Sequence, residues 1–196
     1  MGWLGRKSAD GERALHFDAA VKLASEGQFA EAISEFKQAS KIGPASCDLY
    51  LQLGAALMAL ERWKEAMNAY NQAKAIDPYA VEAYRQLGAI HVQAGNFVEA
   101  LKVYVIAIGL ESKDSELRNN LGIAYFHIGA YNEAIKAFRQ SLIINPATNA
   151  RAHYYLGLVY IDLKDRLGAN AARDSLNEMG RADLAAELQQ KILAEF

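Results

Sequence analysis

Between Cys47 and Ala80 the apolar residues fall into two stripes of helical period. Leu49, Leu53, Ala56, Leu57 and Leu60 recur at intervals of three and four, and Ala66, Met67, Tyr70, Ala73 and Ile76 continue after a polar break at Glu61 and Arg62. This spacing predicts two facing α-helices joined by a turn at the break. Gly54 and Ala66 are small where the helices would cross, which lets the backbones approach while Tyr50, Leu53 and Tyr70 fill the space around them. Trp63 is placed to plug the open end of the pair. Pro78 lacks an N–H and disfavours helical backbone at Asp77, so the second helix is expected to stop there.

The unit then recurs. Gly54, Gly88 and Gly122 are spaced by 34 residues and Gly157 follows after 35, each behind a leucine: Leu53, Leu87, Leu121 and Leu156. Ala20 stands one interval before Gly54. Mid-unit alanines recur at Ala32, Ala66, Ala100, Ala134 and Ala169, and the first four follow Glu31, Glu65, Glu99 and Glu133. Aromatic rings recur at the turn (Phe29, Trp63, Phe97, Tyr131) and inside the second helix (Phe36, Tyr70, Tyr104, Phe138). Pro44, Pro78 and Pro146 close units. At the place of a fourth proline stands Ser112, and Asp114 or Ser115 is expected to cap the next helix.

With this period, the Leu-Gly then Tyr of Leu121 to Tyr125, the alanine, the aromatic and the closing proline, the chain resembles the tetratricopeptide repeat family. The resemblance covers roughly residues 12 to 179. It implies an all-α fold: a right-handed α-solenoid of stacked helix-turn-helix repeats whose concave groove holds a peptide or a partner's helix. Residues 11–180 are read as five repeats. The first has Ala19 and Ala20 in place of Leu-Gly, and His16 in place of an aromatic. The fourth has Arg118 for an early aromatic. An extra residue near Thr148 and Asn149 is expected to loosen the step to the fifth. That last repeat is degenerate: Arg166 replaces the turn aromatic, Arg173 the core aromatic and Leu176 a small residue.

Outside the repeats, residues 1–10 carry Trp3 and Leu4 beside Arg6 and Lys7, and are expected to be a fraying tail or a short anchor for a partner or a membrane surface. Gly180 reads as a helix stop. Residues 181–196 then form a helix with Leu184, Leu188 and Ile192 on one stripe, expected to cap the open core of the last repeat.

The charge balance narrows the functions. The formal net charge of −2 argues against nucleic acid, which requires a clustered basic surface. Cys47 is the only cysteine, which fits a reducing compartment. No apolar run reaches membrane-spanning length and the N-terminus lacks a secretory leader, so the cytoplasm is the expected location.

No chemistry emerges from the side chains. His16, His91, His127 and His153 form no metal-binding spacing, although His91 and His127 fall in neighbouring first helices. Cys47 has no base near it in sequence. The repeated glycines lie inside helices and do not form a phosphate loop. No enzyme activity and no cofactor are expected.

The resemblance places the first helices on the concave face, and with them a set of groove positions. Three before each repeated small residue stand Phe17, Leu51, Arg85, Asn119 and Tyr154; one after it, Val21, Ile123 and Leu158; four after it, Met58, Val92, Phe126 and Ile161. Relatives that clamp the C-terminal carboxylate of heat-shock chaperones use Lys and Asn where this chain has Phe17 and Val21, so that function is not expected. The lining is apolar, with Arg85, Asn119 and Asn120 in its middle. It suits an amphipathic helix or an apolar extended segment of a protein or peptide partner, and the chain is expected to act as an adaptor in a larger complex. The alternative is a self-associating structural protein, a homo-oligomer in which a neighbouring subunit fills the groove.

Overall fold

The computed structural model describes the backbone of residues 2–44, 46–146 and 149–196, and the side chains of those from residue 9 onward. The described residues form eleven α-helices and no strand: α1 (Gly2–Ser25), α2 (Phe29–Ile42), α3 (Cys47–Ala59), α4 (Trp63–Ile76), α5 (Val81–Gln93), α6 (Phe97–Leu110), α7 (Ser115–His127), α8 (Tyr131–Ile144), α9 (Ala150–Asp162), α10 (Arg166–Glu178) and α11 (Ala182–Glu195). This is an all-α solenoid of helical repeats. The chain divides into two compact units, Met1–Ile90 and His91–Phe196, with the boundary inside α5.

Each repeat turns in the same way. The second residue after the first helix takes a left-handed backbone at Gly27, Glu61, Gly95, Gly129 and Lys164, with φ between 57° and 78°. The next N–H then reaches back five residues, as from Arg62 to the Leu57 carbonyl at 2.9 Å and from Asp165 to the Tyr160 carbonyl at 2.8 Å. These bonds satisfy carbonyls that the helix end would otherwise orphan. The turn aromatic opens each second helix except α10, where Arg166 stands and lies over the Phe196 ring at 5.9 Å. Asp114 caps α7, accepting from the backbone N–H groups of Glu116 and Leu117.

In the first unit α1 packs on α2 and α3 on α4. Its core joins Phe36, Leu49, Leu53, Leu57 and Tyr70 to Ala83, Leu87 and Ile90. A Cβ on Gly54 would stand 2.6 Å from the Tyr70 ring, so only glycine admits the ring there. The ends of both stripes leave the core: Leu60 and Ile76, expected inside, are 40% and 46% exposed, because one follows α3 at its open end and the other is the last residue of α4.

In the second unit α7 packs on α8 and α9 on α10, and α11 lies against both α9 and α10. Gly122 meets Phe138 as Gly54 meets Tyr70. Gly157 instead faces Leu188 of α11. Arg173, at the place of the aromatic, turns to Asn170, Gln189 and Asp174. The last helix therefore fills the space that the fifth repeat's own second helix leaves, with Ala185, Leu188 and Ile192 buried beside Leu176.

Two expectations meet the limits of the described residues. The segment expected as a tail is helical from Gly2 onward, continuous with α1, while the side chains of Trp3 and Leu4 lie outside the described residues. The loosening expected near Thr148 and Asn149 falls partly outside them, since residue 148 is not described. Beside that step, Asn149 is buried. Its carboxamide oxygen accepts from the Ala152 N–H and the Asn119 amide, and its own amide donates to Ser141 Oγ at 2.6 Å. Ser141 in turn donates to the Ser115 carbonyl at 2.5 Å.

Candidate functional site

An open cleft of about 410 Å³ lies in the second unit among α7, α9 and α11. Phe126, Leu158, Ile161 and Ala194 supply its apolar part, and Asp162, Lys191 and Glu195 its charges. Phe126 projects from the last turn of α7. Its ring packs edge-on against His127 at 5.3 Å and Tyr155 at 5.9 Å, and lies 6.2 Å from Tyr131. It is half-buried and open to the cleft. Leu158, half-buried, follows on α9; Ile161, expected in the open lining, borders the cleft but is buried at 8% exposure in the core shared with α11. Ala194 and Glu195 come from the end of α11, which the packing of Leu188 and Ile192 holds in place.

The charged edge is already connected. Asp162 accepts from the Tyr131 hydroxyl at 3.0 Å, and this bond to a carboxylate pushes the phenol's pKa up. Glu195 pairs with Lys164. Lys191 lies 3.8 Å from Glu187, which also accepts from the Tyr154 hydroxyl. Burial first, then that bond, raises the Tyr154 phenol well above its ordinary range.

The other expected groove residues are spread over both units. In the first, Phe17 is half-buried with its edge on Phe36 at 5.8 Å, beside a hollow of about 190 Å³ shared with Arg13, Asp18, Ser46 and Asp48. Val21 is 39% exposed. Leu51 and Met58 are half-buried against the first core. Arg85 is engaged within its own helix, its guanidinium 2.9 Å from Glu82. In the second unit Val92 is half-buried on the last turn of α5, and Tyr154 on α9 turns to α11. Asn119 and Ile123, at 6% and 3% exposure, depart from the expectation. Asn119 bonds to Asn149, and Ile123 packs with Phe138, Ala152 and Leu156, because α9 covers this face of α7.

Sequence reasoning missed Asp162, Lys191, Ala194 and Glu195. The last three were read only as part of a cap. Their positions flank the buried Leu188–Ile192 stripe, which was the signal that could have placed them at an edge.

His16, His127, His153 and Cys47 do not line the cleft. His16 Nδ1 lies 2.6 Å from Glu35 Oε2. His127 stacks on Phe97 at 4.5 Å. Burial lowers the His153 pKa. Burial, then Asp77 and Asp48, raises that of the Cys47 thiol, away from a reactive thiolate. Among the described residues no group of three or more His, Cys, Asp or Glu could hold a metal ion, and no helix is long and apolar enough to cross a membrane.

Two sequence models of the tetratricopeptide repeat match the chain, one over residues 23–90 and one over 115–147, together just over half of it. A search of curated proteins returned no match. Among solved structures, a double mutant of MamA (RS-1) superposes with a TM-score of 0.82 at 19% identity, over 88% of this chain and 96% of that one. A MamA fragment from Desulfovibrio magneticus RS-1 gives 0.78 at 18% identity, over 91% and 96%. YrrB, described as a repeat protein of this kind with an unusual peptide-binding site, gives 0.77 at 22% identity, over 89% and 90%. At these identities the likeness is one of fold.

Proposed function

Because this chain belongs to the tetratricopeptide repeat family, we propose that it is a non-enzymatic adaptor that docks a short segment of a partner protein in the cleft beside Phe126. The observation that carries the reading is the meeting of Phe126, Leu158 and Ile161 in one open hollow. A concave, mostly apolar site with a few polar groups at its edge is the usual form of a recognition pocket. The peptide-binding description of YrrB, a protein of the same fold, agrees with it. A helix or extended segment would seat one or two apolar side chains there. The single cysteine, its thiol shifted away from reactivity, fits a reducing compartment such as the cytoplasm.

Selection of peptides of about twelve residues from a random displayed library, a length that spans such a pocket, provides the test. Peptides that bind the wild-type protein should lose binding to Phe126→Asp, since the substitution places a charge against the apolar anchor. They should also lose binding to Ala194→Trp, which fills the cleft from an exposed position without touching the core. Retained binding in Ala194→Trp, with helical content unchanged, places the docking surface elsewhere.

A further inference from the structure

We propose that the segment accepted by this cleft carries an arginine or lysine beside its apolar anchor, so that the partner is recognised as a basic, apolar motif; the proposal rests on the docking reading above. The Phe126 ring opens onto the cleft with Tyr131 and Tyr155 behind it. An aromatic face attracts a cation through its quadrupole, more strongly where water is partly excluded. Around that ring stand the carboxylates of Asp162 and Glu195, both lining the cleft, and Glu187 close by through Lys191. Of the two lining carboxylates, Asp162 accepts from the Tyr131 hydroxyl and Glu195 pairs with Lys164. An ionised carboxylate accepts several hydrogen bonds, so capacity remains for an incoming guanidinium or ammonium.

The apolar part of the site suits the same ligand. Leu158 and Ala194, with Ile161 buried beside them, offer a surface for the methylene stem of a long cationic side chain, whose head would reach the charged edge. Against the two lining carboxylates stand Lys164, already paired with Glu195, and Lys191, which lines the cleft itself. That ammonium lies 3.8 Å from Glu187. It occupies part of the field that a partner's cation would use, so its removal should favour a basic ligand.

The peptide selection reads this directly. Selected sequences should be enriched in Arg or Lys next to a large apolar residue. Affinity of a synthetic copy of the strongest binder, followed by fluorescence polarisation, should fall about tenfold in the double variant Asp162→Asn, Glu195→Gln. It should rise about threefold in Lys191→Ala, and weaken as salt is raised. Both changes lie at exposed positions, and circular dichroism checks that the fold is kept. Binders that depend on Phe126 but are acidic or wholly apolar, or whose affinity ignores the two carboxylates, overturn the cationic motif and leave the docking reading standing. An absence of binders sensitive to Ala194→Trp removes the docking reading and this inference with it.

Discussion

Glu61 and Lys164 occupy backbone positions that glycine takes in the other turns. Their φ values, 57° and 59°, bring Cβ close to the following carbonyl, a strain that glycine does not feel. Glycine also gives up more freedom on folding, which offsets part of the gain. Glu61→Gly is therefore expected to stabilise the protein by about 0.5–1 kcal/mol, read as a raised Tm; a lowered Tm would show that the side chain contributes more than the strain. Asn149 sets the opposite case. It closes a buried chain of hydrogen bonds from Asn119 to Ser141, and Asn149→Ala leaves the Asn119 amide without its acceptor. A loss of about 1–3 kcal/mol is expected in urea unfolding, against little change for Asn120→Ala, whose bond to Arg151 is long and exposed.

At the scale of the helix, the repeated small residue shows what a sequence carries and what it hides. The interval from Gly54 to Gly122 announced close helix crossings, and the rings of Tyr70 and Phe138 lie against those two glycines. The same reading registered Arg173 as a missing aromatic but could not show that Leu188 replaces it, because α11 lies outside the period. That Phe126 and Leu158 stand on partly open faces of α7 and α9 was legible from helical phase. Asn119 and Ile123 were misplaced because phase names a helix face without saying what covers it, and here α9 does. Leu188→Ala should open a cavity between α11 and Gly157 and cost about 2–5 kcal/mol, measured by denaturant unfolding. A cost near zero would mean that α11 is not the filling of the fifth repeat.

For the whole molecule, the consequence is graded stability. A repeat array is held by interfaces between neighbours, so the loss of one interface acts first on the repeat it touched. In the second unit α11 packs on α9 and α10, while α7 and α8 meet one another and α9. Removal of residues 181–196 should thus strip the cover from Ala172 and Leu176 and leave Gly157 facing water. Native-state hydrogen exchange should record the largest loss of protection in α9 and α10, a smaller loss in α7 and α8, and the least change in the first unit. Exposure of that apolar surface should also promote association, visible by light scattering. The cleft loses Lys191, Ala194 and Glu195 in the same variant, so peptide binding should vanish even at temperatures where α7 and α8 stay protected. Uniform loss of protection along the chain would instead mark the molecule as a single cooperative unit, in which the last helix supports every repeat equally.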